Sequence, residues 1–293
     1  MILVTGATGS IGRHLVRRLR QERVPFKAFV RDEHKGRALG CDYVVGDFDD
    51  PDSLATALEG VDRLFLNTAG AEPVAGEQPM IRRQKTAIDA AARAGVSKIV
   101  KVSVWHAREG ALLAEGAHWH IEQHLKASGV DWSVLQPSGF MQNFVTGTGA
   151  FTEDGDLVGT SGDARVSYID CHDIAACAAV LLTGPRGGGE SFVLTGPEAL
   201  THAEIAEKLS AALGRTVRYV DVPPARMAAT LKTQGLPPRF VDDVVQLWQE
   251  VAAGSLSATT AAVDDLTGRP ARTFEEFLAG NRETLLTGPL ARR

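Results

Sequence analysis

Through the N-terminal half of the chain, short apolar runs alternate with amphipathic stretches, the pattern of a parallel sheet with helices on both faces. Ile2–Thr5, Phe26–Val30, Tyr43–Val45, Arg63–Leu66, Lys98–Val102 and Trp132–Leu135 read as strands, and Ser191–Leu194 as a seventh. The stretches between them carry helix ends. Asp50-Pro51 pairs an N-cap with a proline at the first helical position, and Gly60 closes that helix. Gln78–Ala94, closed by Gly95, and Asp173–Leu182, ahead of the seventh strand, are two more. The last third reads differently. Thr201-x-x-Glu204 and Thr273-x-x-Glu276 are capping boxes opening helices, and Gly214 stops the first of these. Pro223-Pro224 and Pro237-Pro238 bracket a helical stretch with little strand character. The pattern predicts an α/β fold, a Rossmann-type doubly wound parallel sheet with a smaller, mainly helical C-terminal part that closes over a ligand crevice. The loop Asn67–Glu77, with two glycines and a proline, reads as the most mobile segment.

Composition narrows the class. Of 293 residues, 44% are hydrophobic and 23% charged, which excludes general disorder and a fibrous fold. With 31 Lys+Arg against 36 Asp+Glu the net charge is −5, and no basic stripe is present for a phosphate backbone, so nucleic acid is not the expected partner. Cys41, Cys171 and Cys177 form no CxxC pair and no disulfide framework. The start MILVTGATGS has no basic n-region, and no run of about eighteen apolar residues exists to span a membrane. A soluble, cytoplasmic monomer or homodimer is expected.

The strongest local signal is Val4-Thr5-Gly6-Ala7-Thr8-Gly9-Ser10-Ile11-Gly12-Arg13, between a strand and an amphipathic helix carrying Leu15, Val16 and Leu19. Three glycines at this spacing permit a tight turn, close approach of backbone to a pyrophosphate, and close helix–strand packing. The helix N-terminus adds free N–H groups and a positive dipole end for the phosphates. The predicted dinucleotide-binding domain covers residues 1–138 and resumes over 166–196. Residues 139–165 and 197–293 are left to the smaller part.

The spacing G-x-x-G-x-x-G resembles the short-chain dehydrogenase/reductase superfamily, and TGATGxxG its atypical and extended branches. Further segments sharpen the likeness: Val30-Arg31-Asp32, Gly46-Asp47-Phe48, Val61-Asp62, Ala91-Ala92-x-Ala94-Gly95-Val96, Leu135-x-Pro137-x-x-Phe140-Met141-x-Asn143-Phe144, Tyr168-Ile169-Asp170-x-x-Asp173-Ile174-Ala175 and Leu194-Thr195-Gly196-Pro197. In this order they resemble the NmrA-like family, which includes quinone reductases, triphenylmethane-dye reductases and redox-sensing regulators. The resemblance runs from Met1 to about Asn281.

It implies a nicotinamide cofactor held by Gly6, Thr8, Gly9, Ser10, Ile11 and Gly12. An acidic residue closing the second strand bonds the ribose of NAD, whereas an arginine accommodates the 2′-phosphate of NADP. Arg31, with Lys35 and Arg37 close behind, favours NADP(H) over NAD(H); Asp32 keeps the NAD reading open, as does a merely solvated charge cluster. By the same resemblance Asp47 and Phe48 flank the adenine, and Asn67 and Thr68 approach the pyrophosphate and ribose.

The usual short-chain catalytic dyad, Y-x-x-x-K, is missing: four residues after Tyr43, Tyr168 and Tyr219 stand Asp47, His172 and Pro223. Hydride transfer to an electron-poor acceptor needs less acid–base help, because binding, orientation and the cofactor's own reactivity carry most of it. The segment Ala117-His118-Trp119-His120-Ile121-Glu122-Gln123-His124 resembles the A-H-x-H-x-x-x-E stretch of dye-reducing relatives, with the acidic residue two places earlier. His118, titrating near neutrality, is the expected proton donor or substrate contact; a histidine hydrogen-bonded within its helix is the competing reading. His120 and His124 share a helical face, yet H-x-E-x-H is not a zinc motif and no third ligand is evident, so no metal is expected. Ser103 stands where short-chain reductases commonly keep a serine near the nicotinamide, and Pro137 falls beside the same ring by resemblance. Trp105, His106, Trp119, Phe140 and Asn143 are the candidate substrate contacts. Trp105, Trp119, Phe140 and Phe144 make a candidate aromatic pocket for a planar acceptor, with Phe144 better suited to the core.

Three functions remain open: an NAD(P)H-dependent oxidoreductase acting on a quinone-like or other planar aromatic acceptor, a non-catalytic NADP(H) sensor, and an oxidoreductase or monooxygenase-type tailoring enzyme of aromatic natural products.

Overall fold

A computed structural model describes residues 1–74, 76–146 and 151–287. Ala75, within the loop predicted to be mobile, and residues 147–150 and 288–293, within the predicted smaller part, lie outside the described residues. The strands are β1 (Ile2–Val4), β2 (Phe26–Val30), β3 (Tyr43–Val45), β4 (Arg63–Leu66), β5 (Lys98–Val102), β6 (Asp131–Pro137), β7 (Leu157–Gly159), β8 (Glu190–Leu194) and β9 (Tyr219–Asp221). The first helices are α1 (Ser10–Gln21), α2 (Glu33–Ala38), α3 (Pro51–Leu58), α4 (Pro79–Arg93), α5 (Leu113–Lys126) and α6 (Cys171–Thr183). They are followed by α7 (His202–Leu213), α8 (Pro224–Thr233), α9 (Pro238–Ala252), α10 (Ala262–Thr267), α11 (Phe274–Gly280) and α12 (Arg282–Thr287).

The chain divides into two compact units. The first, Met1–Glu72, Gly76–Pro137 and Cys171–Leu194, holds a seven-stranded sheet in the order β3-β2-β1-β4-β5-β6-β8, parallel throughout. This is the Rossmann-type sheet the apolar runs predict. The order reverses between β1 and β4, so their carboxyl ends border the crevice where such sheets bind ligands. Because helices cover both faces, central strands have no solvent side: β4 buries Leu64, Phe65 and Leu66, and β5 is buried at all five positions. On one face Leu54, Ala57 and Leu58 of α3, Ile81, Ala87 and Ile88 of α4, and Ala117, Ile121 and Leu125 of α5 pack into one core with Leu3, Leu64, Ile99 and Val134. Helices α1 and α6 pack together, and α6 also lies on β4, β5 and β6. Asp50 caps α3 through the N–H groups of Asp52 and Ser53, with Pro51 at its start as predicted.

The second unit comprises Pro73–Ala75, Ser138–Asp170 and Thr195–Arg293. Both predicted capping boxes form, Thr201 with Glu204 and Thr273 with Glu276, and Gly214 ends α7 at φ +67°. Phe144, Leu209, Phe274 and Phe277 belong to its core. The stretch bracketed by the two proline pairs is helical as expected, carrying α8, and outside it one feature was not expected. Parallel strands β7 and β9 form a small second sheet from segments about sixty residues apart, Leu157 pairing with Tyr219. Three-residue strands, one ending in Gly159, carry too little alternation to be read locally.

Candidate cofactor and active site

The glycine turn is locked from both sides. The Thr5 hydroxyl lies 2.9 Å from the carbonyls of Phe65 and Asn67 and accepts the Asn67 N–H, tying the end of β1 to the end of β4. Gly6 follows at φ +61°, and a Cβ there would sit 2.8 Å from the Asn67 carbonyl oxygen. At Gly12 a Cβ would fall 2.1 Å from the Gly6 carbonyl oxygen, so this glycine lets α1 close on the turn. Gly9 is different. A Cβ there meets protein at 3.3 Å and the backbone is extended, so protein packing alone does not require glycine. Gly9 is the N-cap of α1, no side chain caps that helix, and no acidic residue stands in its first turn. Exposed Ser10 opens the helix and buried Ile11 anchors it. An open backbone at a bare helix N-terminus suits an anion that approaches closely. The residues present therefore fit the pyrophosphate of a dinucleotide.

A cavity of about 290 Å³ runs from this turn along the carboxyl ends of β1, β2 and β4. It is lined by Gly6, Thr8 and Gly9 of the turn, by Asn67 and Thr68 after β4, and by Arg31, Asp47 and Phe48 after β2 and β3. Phe48 is braced edge-to-face on Phe29 at 5.5 Å, which leaves an aromatic surface toward the cavity. Buried Gln84 of α4 holds Thr68 by donating from Nε2 to its hydroxyl at 2.8 Å. Arg31 has no hydrogen-bond or ion-pair partner among the described residues. Asp32 is already engaged: it caps α2, accepting the Lys35 N–H at 2.9 Å, and that bond holds its carboxyl below the usual range. Lys35 itself lines a neighbouring cleft of about 450 Å³ with Arg13, Arg17 and Arg20, and Thr8 borders both spaces. Arg83 of α4 also lines the first cavity, tied to Asp49 and Glu72. It lies outside the expected set, because on the sequence it reads as one more charge on a solvated helix face.

At the next strand end Ser103 is buried, its hydroxyl donating to Glu122 Oε1 of α5 at 2.5 Å. Gln136 donates to the same oxygen and Lys126 to Oε2. His118, one turn earlier on α5, is 6% exposed, with Nδ1 2.7 Å from Nζ of Lys101. The expectation of a histidine titrating near neutrality is corrected here. Burial, reinforced by the lysine charge, holds this imidazole well below its ordinary value, so it is neutral at pH 7. Lys101 is fully buried in β5, and burial pushes its ammonium down to about 7 against the pull of Glu122. Sequence reasoning missed Lys101. The available signal was its place beside Ile99 and Ser103 on one face of a central strand with no solvent side.

The aromatic candidates are divided between the two units, Trp105 and Trp119 in the first and Phe140 and Phe144 in the second. Trp105 stacks on His106 at 4.7 Å, with His106 at φ +63°, and Trp105 N–H donates to the carbonyl of buried Pro137. Trp119 meets exposed His120 edge-on. In the second unit Phe140 bridges to Ile169 and Asn143 sits on the turn Met141–Phe144. Phe144 is core, packed on Tyr168 and Phe274. His124 pairs with Asp89, and no group of three His, Cys, Asp or Glu side chains is placed to hold a metal among the described residues. No helix among them is long and apolar enough to cross a membrane.

Comparison with known proteins places these features. The profile of the NmrA-like family matches residues 1–278. An NAD(P)H azoreductase of Xenophilus azovorans is 38% identical over 282 residues, covering 94% of this chain and 96% of that protein. Among solved structures, an NADPH-dependent quinone oxidoreductase of Escherichia coli complexed with NADPH superposes with TM-score 0.81 at 29% identity, over 96% of this chain and 99% of that one. A triphenylmethane reductase of Citrobacter sp. complexed with NADP(H) gives TM-score 0.80 at 26% identity, over 94% and 98%.

Proposed function

The chain belongs to the NmrA-like family and is an NAD(P)H-dependent oxidoreductase, and from that premise we propose that it uses NADPH to reduce a quinone-like or azo-type planar aromatic acceptor. The observation that carries this reading is the cavity at the β1–β4 switch point. Its glycine turn suits a pyrophosphate, and its lining includes the Arg31 guanidinium, which has no partner among the described residues. The 38% identity with the azoreductase supports the acceptor class.

When bound, the nicotinamide supplies a hydride, so this chain's residues need to bind, orient and provide protons. Gly9 and the first turn of α1 would receive the pyrophosphate, Thr68 and Asn67 the ribose side, and Phe48 the adenine face. Arg31 would take the 2′-phosphate, and neighbouring Asp32 is already engaged as the cap of its own helix. Ser103, Trp105, His106 and Pro137 would border the reacting ring, with Trp119 toward the acceptor.

Two measurements test this. Arg31→Ala should weaken NADPH roughly tenfold to a hundredfold, the loss of one charge-assisted phosphate contact, and change NADH little. Titration with both cofactors checks it; equal losses would assign Arg31 to adenine stacking or folding instead. Steady-state NADPH oxidation against a panel of quinones and azo dyes tests the acceptor class. No turnover with any of them, despite bound NADPH, would leave a dinucleotide sensor as the function.

A further inference from the structure

Four buried polar side chains, Lys101, Ser103, His118 and Glu122, lie between β5 and α5, and the reading above gives a task to Ser103 alone. Lys101 Nζ is within 2.7 Å of His118 Nδ1 and donates to the Val102 carbonyl at 3.0 Å. Glu122 is 2% exposed and held by Ser103, Gln136 and Lys126. A lysine inside an apolar layer is costly, and packing gives no reason for one here. Its geometry does one specific thing: an amine that donates to Nδ1 fixes the neutral imidazole with its proton on Nε2. Among the described residues, Nε2 has no hydrogen-bond partner, so this donor is left for something else.

Resting on the reductase reading, we propose that Lys101 is the proton source for the reductive step, acting through the His118 imidazole in place of the absent tyrosine–lysine dyad. Hydride carries two electrons to the acceptor and leaves negative charge on its oxygen or nitrogen. That atom forms a bond to the Nε2 proton as the Nε2–H bond breaks. Nδ1 takes a proton from Lys101 Nζ, whose N–H bond breaks in turn. The imidazole ends neutral with its proton on Nδ1, the lysine ends as a neutral amine, and water restores the proton after product leaves. Lys101 is thus a positioning and supply residue, acting on the acceptor through His118.

The surroundings suit this role. Glu122 holds the proton on Lys101 while Lys126 and burial oppose it, and no charged side chain of β4, β6 or α4 contributes among the described residues. The balance leaves an ammonium that releases its proton near pH 7 instead of near 10.5. The charged form is the competent one, so turnover should be full below about pH 7 and fall as pH rises through it.

The test pairs nitrogen NMR of unliganded protein with the kinetics of Lys101→Met, an apolar replacement of similar length that suits a buried site. In the unliganded parent at pH 6, where Lys101 keeps its charge, His118 should be neutral with its proton on Nε2, and Lys101→Met should release that tautomer. The variant should bind NADPH within about twofold of the parent and lose roughly a hundredfold in turnover with the pH limb near 7 removed, the scale of general-acid help. An imidazolium at pH 6, or a proton on Nδ1, overturns the relay without any substrate present. An active parent with an indifferent Lys101→Met variant overturns the relay alone, whereas a parent that reduces no acceptor overturns the reductase reading and the relay with it.

Discussion

Gly9→Val is expected to remove NADPH binding while leaving a folded protein. The new Cβ meets only the Gly6 carbonyl oxygen, at 3.3 Å, and the extended backbone at this position accepts a β-branched residue. The structural penalty is therefore the loss of a favourable N-cap, about 1 kcal/mol. The ligand meets a different situation. Two isopropyl methyls would stand where the pyrophosphate must lie against backbone N–H groups. Losing two charge-assisted hydrogen bonds, each about 1.5–3 kcal/mol, weakens binding by more than a hundredfold. Fluorescence titration of NADPH beside a thermal melt measures both halves. NADPH affinity within threefold of the parent would remove the pyrophosphate from this turn.

Gly12→Ala reverses that outcome. A methyl 2.1 Å from the Gly6 carbonyl oxygen and 2.7 Å from Ala7 Cα has backbone on both sides, with no flexible side chain to move away. Helix α1 must lift off the turn, and its buried face, Leu15, Val16 and Leu19, lifts with it. Overpacking against rigid backbone puts the cost at about 3 kcal/mol or more. In a chain of this size that is a fall in Tm of roughly 6–12 °C. Differential scanning calorimetry checks it, and an unchanged Tm would show that α1 is free to shift. The pair of variants separates a glycine that serves the ligand from one that serves the fold, three residues apart in one motif.

Much of this was legible in the chain because its causes are local. The glycine motif spans seven residues, the Asp50-Pro51 helix start and both capping boxes depend on residues within four positions of one another, and all of them form. The strands of the first unit were legible for a related reason: they are short, mostly apolar runs, the central ones buried on both faces, that stand out from polar connections. What escaped notice depends on distant partners. The β7–β9 pairing joins Leu157 to Tyr219. The depressed titration of His118 comes from burial, reinforced by a strand lysine seventeen positions earlier, and Asp32 is engaged by its own backbone cap. The residue types at 118 and 31 were readable, but the protonation of the first is set by burial and the surroundings of the second by a helix cap.

Lys101 also explains a tension between stability and use. A buried ammonium that releases its proton near pH 7, against 10.5 in the unfolded chain, costs folding free energy at low pH. Between about pH 7 and 10.5 the unfolded chain binds the extra proton, so this group makes the fold more stable as pH rises. A residue held at such a cost fits a site where proton delivery matters more than packing.

The most direct measurement is a single anaerobic turnover, with protein and NADPH premixed and one equivalent of quinone or azo acceptor added in a stopped-flow instrument. Loss of nicotinamide absorbance in step with acceptor reduction, slowed when the transferred hydrogen is deuterium, is the result expected of a hydride-transferring reductase. NADPH that stays bound and unoxidised beside every acceptor would contradict it.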